Sequence, residues 1–255
     1  MESIGTKTSS SPQVRFGHRF WISVAICLVV ASLPVRASDK YSQLRAAMVG
    51  EQIEARGITD TTVLEAMRIV PRHLFVPEEY RSQAYDDWAL PIEAGQTISQ
   101  PYIVGLMTSL LQPGPGDRIL EIGTGSGYQA AVLAEIVDSV FTIEIIESLA
   151  LRSQELLDSL GYENVEVRCG DGFAGWPEEA PFDGVVVTCA APKIPEALIE
   201  QMAEGGRLII PVGDKYQELL LLMKREEVLD TVSVTAVRFV PMTGPGIEGA
   251  EATPE

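Results

Sequence analysis

Three glycines at alternate positions, Gly123, Gly125 and Gly127, follow a short strand-like run, Arg118–Ile122, that contains Glu121. Glycine has no Cβ, so the backbone can turn sharply there and lie against a ligand. A strand, a glycine turn and a helix in succession can bring a nucleotide-like group to a helix N-terminus. A dinucleotide fingerprint would put its third glycine one position later, to allow close helix–strand contact. That position here is Tyr128. The spacing speaks against a nicotinamide dinucleotide, and Glu121 adds an acid inside the strand end.

More acids close the later strand-like runs. Glu144 ends the run 139–144, where a carboxylate can accept both hydroxyls of a ribose. Gly170-Asp171-Gly172 follows the run 164–168, where an acid can accept an adenine amino group beside a tight turn. The run 182–188 leads into Cys189-Ala190-Ala191-Pro192. Ligands of open parallel sheets bind beyond the carboxyl ends of the strands, near the point where strand order reverses. Each feature alone also reads as a turn or a solvated strand end. Their joint occurrence in this order points to a ligand carrying a nucleoside.

A second constellation is Gly95-Gln96-Thr97-Ile98-Ser99-Gln100-Pro101. Proline suits the first helical position. Ser99 and Gln100 then stand at a helix start, where unpaired N–H groups and the positive dipole end gather. Such a place can hold an anion, so Thr97, Ile98, Ser99 and Gln100 are candidates for binding a substrate carboxylate. The plain alternative is that Ser99 or Thr97 only caps the helix. A carboxylate, with a reference pKa of about 4, is already ionised at neutral pH and can act as a nucleophile without a base. His18 and His73 are the two histidines. His73 lies in an apolar run between Pro71 and Pro77 and reads as structural, so no Ser-His-Asp arrangement is expected.

The elements that must position these groups alternate from residue 118 onward. Strand-like runs at 118–122, 139–144, 164–168, 182–188 and 206–212 are separated by helical patterns at 127–136, 147–160 and 193–203. This predicts an α/β fold with a doubly wound, mostly parallel sheet. Two further strands, about 217–224 and 231–240, flank a short acidic turn and are expected to pair antiparallel. Upstream, the pattern predicts a helix over 41–57 ending at Gly57, a second one capped by Asp60, a loop-rich segment 72–100, and a helix from Pro101. Residues 242–255 offer little to bury and read as a disordered tail.

Acidic residues outnumber basic ones 36 to 19, a net charge of −17. This argues against a general nucleic-acid binder, which needs surplus Lys and Arg. Two histidines, with Cys27, Cys169 and Cys189 lacking ligand spacing, imply no metal site. Residues 1–19 carry Lys7, Arg15 and Arg19, the apolar run 20–35 follows, and Val35-Arg36-Ala37 resembles a cleavage site. As a helix that run spans about 24 Å, short of a hydrocarbon core of about 30 Å. Residues 1–37 are therefore read as a signal-peptide-like or anchor segment, with membrane contact only through residues 20–35 if they are retained.

Several motifs together resemble protein-L-isoaspartate O-methyltransferases. They are His73-Leu74-Phe75-Val76-Pro77, Ala84-Tyr85-Asp86-Asp87, Leu90-Pro91-Ile92 through Tyr102, and Leu120–Gln129. Pro181-Phe182-Asp183, Ala190-Ala191-Pro192, Gly205–Leu208, Pro211-Val212-Gly213 and Val237–Pro241 add to them. The likeness covers about residues 44–241, and Thr-Ile-Ser-Gln-Pro is its most specific part. It implies a Rossmann-like, seven-stranded sheet with an N-terminal helical cap and S-adenosyl-L-methionine as cofactor. It also implies a repair reaction, methylation of the α-carboxyl of L-isoaspartyl residues in damaged proteins and peptides. The ester then cyclises unaided to a succinimide.

By the same resemblance Ser99 is the active-site residue, Glu121, Gly123 and Gly125 flank the methionine end of the cofactor, and Gly127 of the same turn is expected to bind the cofactor with them. Glu144 holds the ribose, and Asp171 with Gly172 the adenine. Residues 38–116 would form the helical and substrate-groove extension, and 117–241 the cofactor-binding domain. Departures from the family pattern are Glu93, where glycine is more usual, Cys189, and the N-terminal extension. A methyltransferase for another carboxylate is the nearest alternative. A monomer is expected, in the cytoplasm by cofactor supply, or in the periplasm if residues 1–37 act as an export signal.

Overall fold

The computed structural model describes residues 40–226 and 228–247, together with Met1, Glu2 and Gly5. The signal-like segment 1–37 otherwise lies outside the described residues, as do 248–255 of the tail. The chain divides into two units, Met1–Ala37 and Ser38–Glu255, and the fold is that of the second.

Two helices begin it. α1 (Lys40–Ala47) continues through a wider π turn, Met48–Ile53, and a 3-10 turn to Gly57, whose φ of 94° ends the run as the sequence predicts. α2 (Thr61–Ile69) starts at Asp60, whose carboxylate accepts the N–H groups of Thr62 and Val63. The loop-rich segment then folds into short 3-10 turns and a small hairpin, β1 (Leu90–Pro91) against β2 (Thr97–Ile98). Pro101 opens α3 (Pro101–Leu111).

The sheet consists of β3 (Arg118–Ile122), β4 (Ser139–Glu144), β5 (Val165–Cys169), β6 (Phe182–Val187), β7 (Met202–Val212), β8 (Gln217–Arg225) and β9 (Val228–Val237). Its order is β5-β4-β3-β6-β7-β8-β9. The first five strands pair in parallel, and β8 and β9 add antiparallel, as expected around the acidic turn. Crossovers run through α4 (Tyr128–Ala134), α5 (Glu147–Leu160) and the short α6 (Glu196–Glu200). Alternation along the strands feeds two cores, one on each face. Ile119, Val140, Val186 and Ile209 face one core, while Leu120, Ile122, Val185, Val187, Leu208 and Ile210 face the other. Strand order reverses between β3 and β6, so the ligand-binding crevice belongs at the ends of those two strands.

Three elements differ from the sequence reading by three residues or more at an end; one is β9, which runs Val228–Val237 rather than about 231–240. β7 begins at Met202 rather than 206, and the helix before it is confined to Glu196–Glu200. Gly205, at φ 80°, and Gly206 interrupt β7 near its start, and the β6 pairing shifts register there. Glycine in a strand reads as a break when it marks an irregularity.

Residues 242–247 correct the expectation of disorder. Met242 is 7% exposed and its N–H donates to Ala190 O, and the Gly246 N–H donates to Asp171 Oδ2 at 2.7 Å. Composition hid this because one buried methionine and a few backbone hydrogen bonds suffice to dock six residues.

Candidate active site

A cavity opens at the carboxyl ends of β3, β4 and β6. Thr97, Ile98 and Ser99 line it on one side, and Glu121, Gly123, Gly125, Glu144 and Gly172 on the other. The structure thus brings together two stretches of chain more than twenty residues apart in sequence.

Glu121 is the strongest electrostatic feature. It is fully buried, and Thr142, opposite it on β4, donates a hydrogen bond of 2.5 Å to its Oε2. The Thr124 hydroxyl lies 2.6 Å from that of Thr142, extending the chain of hydroxyls. Oε1 has no hydrogen-bond partner. Burial raises the carboxyl pKa to about 8, the Thr142 bond opposes this, and the nearby charge of Glu144 adds to it. A buried, half-satisfied carboxylate in a cavity wall fits a cationic ligand group such as an ammonium.

Glu144 is held differently. Its Oε2 accepts the Gly125 N–H at 2.8 Å and its Oε1 accepts the Ile146 N–H at 3.0 Å. Each oxygen retains acceptor capacity for a hydroxyl, so a ribose diol fits this end.

The glycines divide in role. A Cβ on Gly123 would lie 2.6 Å from Thr188 Oγ1, and one on Gly172 would lie 2.3 Å from Ile122 Cγ2. Both positions line the cavity and neither has room for a side chain. Thr188 donates to Gly123 O at 2.5 Å, fixing the elbow from β6. Gly127 does not line the cavity. It begins α4 at φ 83°, where a Cβ would press on Leu157 and Ser153 of α5. It takes the helix-packing part that the sequence comparison with a dinucleotide fold placed at Tyr128.

Asp171 and Gln100 also point elsewhere. Asp171 Oδ1 accepts the Phe173 N–H and its Oδ2 the Gly246 N–H, so its carboxylate fixes the loop and the tail. Gln100 is the N-cap residue of α3 but gives no side-chain cap. Its amide donates to Asp87 O at 2.9 Å. With Pro101 first in the helix, the open donors there are the N–H groups of Tyr102 and Ile103.

On its other side the Ser99 corner faces a groove lined by Asp87, Trp88, Gln100, Ile103 and residues 236–239. Thr97 and Ser99 line both the groove and the cavity. The stretch 236–239 came from no spacing argument. The Val-Arg-Phe-Val-Pro run belongs to the family likeness, but its place beside Ser99 appears only once β9 is laid down. Arg72 was missed too. It is fully buried, and its Nη2 donates to Ser99 O at 2.7 Å. His73, read as structural, stacks on Tyr41 at 3.9 Å, with Nδ1 2.7 Å from the Tyr85 hydroxyl. The half-buried Cys189 thiol lines the cavity. Burial, and then the charges of Glu144 and Glu121, push its pKa up to about 12, so it is no nucleophile at neutral pH. Among the described residues no group of His, Cys, Asp and Glu could hold a metal ion, and no helix is long and apolar enough to cross a membrane.

Fold and cavity together define a Rossmann-like methyltransferase with a nucleoside site at a glycine elbow. The family model for protein-L-isoaspartate(D-aspartate) O-methyltransferase matches residues 43–246. A protein-L-isoaspartate O-methyltransferase 2 of Shewanella sediminis is 52% identical over 217 residues, spanning 84% of this chain and 89% of that protein. A protein-L-isoaspartate O-methyltransferase 1 of Syntrophobacter fumaroxidans is 54% identical over 205 residues, spanning 80% and 96%. A solved protein-L-isoaspartate O-methyltransferase structure aligns with TM-score 0.73 and 30% identity over 80% of this chain and 67% of that one. A Plasmodium falciparum structure, described as a complex with S-adenosyl-L-homocysteine, aligns with TM-score 0.68 and 26% identity over 78% and 98%. The chain belongs to the protein-L-isoaspartate(D-aspartate) O-methyltransferase family.

Proposed function

We propose that Ser99 and the start of α3 hold the α-carboxylate of an L-isoaspartyl residue, while Glu121, Gly123, Gly125, Glu144 and Gly172 hold S-adenosyl-L-methionine. The chain is a repair methyltransferase, moving a methyl group to that carboxylate in damaged proteins. When bound, the cofactor supplies a methyl group on a positively charged sulfur. One observation carries the assignment of residues: Ser99 lines both the cavity and the groove.

The protein's work is positioning. The substrate oxygen is already ionised, so no base is required. The Ser99 hydroxyl and the open N–H groups of Tyr102 and Ile103 can orient a carboxylate, aided by the positive end of α3. Orientation of two reactants in this way can lower a barrier by about 7–11 kcal/mol. The groove beside Trp88 and residues 236–239 takes the flanking peptide. Asp171 acts by fixing the Gly172 loop, and Gly127 by seating α4.

Ser99→Ala tests the assignment. Turnover of an isoaspartyl peptide is expected to fall by about 10- to 100-fold, with S-adenosyl-L-homocysteine affinity within about threefold. Collapse of cofactor binding instead would remove Ser99 from the substrate side. We further propose a cytoplasmic location, supported by the cytoplasmic supply of the cofactor. The mass and N-terminal residue of the native protein test this, since a chain starting after Ala37 would mean export.

A further inference from the structure

We propose that Arg72 is a positioning residue for the reaction: its guanidinium fixes the backbone that presents Ser99, and its fixed charge selects a carboxylate substrate. The inference rests on the reading that Ser99 holds the carboxylate. Arg72 follows Pro71 in a 3-10 turn and is 0% exposed. Nε donates to Ala84 O and Nη2 to Ser99 O, each at 2.7 Å. One planar fork thus ties three separate stretches of chain together directly behind the corner. The guanidinium carbon also sits 4.8 Å from the centre of the Tyr128 ring, and Tyr128 lines the cofactor cavity.

The charge is uncompensated. Among the described residues Arg72 has no carboxylate at ion-pair distance; its Nη1 and the Tyr128 hydroxyl are both buried with no partner in good hydrogen-bond geometry, and the polar interaction the guanidinium has on that side is with the neutral Tyr128 phenol. Burial lowers its pKa to about 10, against the opposing effect of Tyr128 and Tyr85, which leaves it cationic at neutral pH. Buried charges are ordinarily paired, and an unpaired one is costly. An apolar side chain could fill the same volume. What an apolar side chain could not do is supply positive charge one peptide group from the place where an anion must settle.

The test uses enzyme loaded with S-adenosyl-L-homocysteine and two competing probes, an isoaspartyl peptide with a free α-carboxylate and its α-carboxamide twin. The intact enzyme is expected to prefer the carboxylate by about tenfold or more, the scale of one charge-assisted contact. Arg72→Met should bring that ratio within about twofold while cofactor affinity stays within about threefold, because Arg72 itself does not line the cofactor cavity. Arg72→Lys should keep the preference but lower kcat about tenfold, since an ammonium cannot span both carbonyls. If the Met variant does not fold, the Lys variant decides by that combination of kept ratio and lowered kcat. An unchanged ratio in Arg72→Met, equal weakening of both peptides, or wild-type kcat in Arg72→Lys would overturn the proposal. Ser99→Ala run alongside separates the two readings. Unchanged kcat there sinks the Ser99 assignment itself, whereas lowered kcat with wild-type behaviour of the Arg72 variants sinks only this inference.

Discussion

Glu121 should make cofactor binding depend on pH. Its carboxyl has a pKa of about 8 without ligand, set by burial first and then by the charge of Glu144, against the Thr142 hydrogen bond. The free Oε1 can meet a cation only as part of a carboxylate. At pH 7 about one molecule in eleven carries that carboxylate, and the apparent dissociation constant is raised by the same factor. Binding of S-adenosyl-L-homocysteine at pH 7 should release about 0.9 proton from this group, and affinity should rise about tenfold between pH 7 and pH 9. Calorimetry in phosphate and in Tris, whose ionisation heats differ, counts the protons. The ligand's own amino group titrates in the same range, so Glu121→Gln is the reference and the difference between the two proteins isolates Glu121. The folded chain holds a proton on Glu121 that the unfolded chain loses above the ordinary value of 4.5. Stability from this group is therefore greatest below pH 4.5 and declines as pH rises toward 8. Glu121→Gln should stabilise the empty protein by about 3 kcal/mol at pH 7, the order of magnitude of that linkage. Equal proton release by the two proteins, or parallel pH profiles of affinity, would refute the reasoning.

Three more perturbations separate structural from binding roles. Gly172→Ala places a Cβ 2.3 Å from Ile122 Cγ2; a loss of about 1–3 kcal/mol is expected in denaturant titration, with weakened cofactor binding. Gly127→Ala combines φ 83° with contacts of 3.3 Å to Leu157. It should cost about 1–2 kcal/mol of stability and leave cofactor affinity within about threefold, since only helix packing is touched. Glu93 forms an ion pair with Arg152 on α5, both partly exposed. Glu93→Gly should change melting by less than about 1 kcal/mol, and raising salt should shrink the difference.

Much of the fold was legible because its signals are local and periodic. The runs 118–122 and 139–144 and the helix 147–160 match the observed elements, since a doubly buried strand or an amphipathic helix writes its period directly into the chain. The antiparallel pair at the end followed from a turn. Legibility failed where one residue did two things. Gly205 and Gly206 lie inside β7 yet read as its boundary, and Met242 docks a segment whose neighbours look unstructured.

The site shows a different limit. Motif order along the chain placed Glu121, Glu144 and Gly172 at one crevice, because parallel-sheet topology converts strand ends into a shared edge, whereas Ser99 was tied to that crevice only by the family likeness. Order does not give the direction of a side chain. Asp171 and Gln100 sit at the predicted places, yet their polar groups are taken up by Phe173, Gly246 and Asp87. Gly127 belongs to the motif but serves α5. Arg72 lies 27 residues before Ser99, in a run that reads as apolar packing, and its contact with Ser99 O exists only because two loops fold over one another. A group that acts through the backbone of another loop leaves no spacing to read. The proposed substrate side, assembled from residues 72–101 and 236–239, is therefore less visible in sequence than the cofactor side, which one strand–turn–helix unit largely encodes.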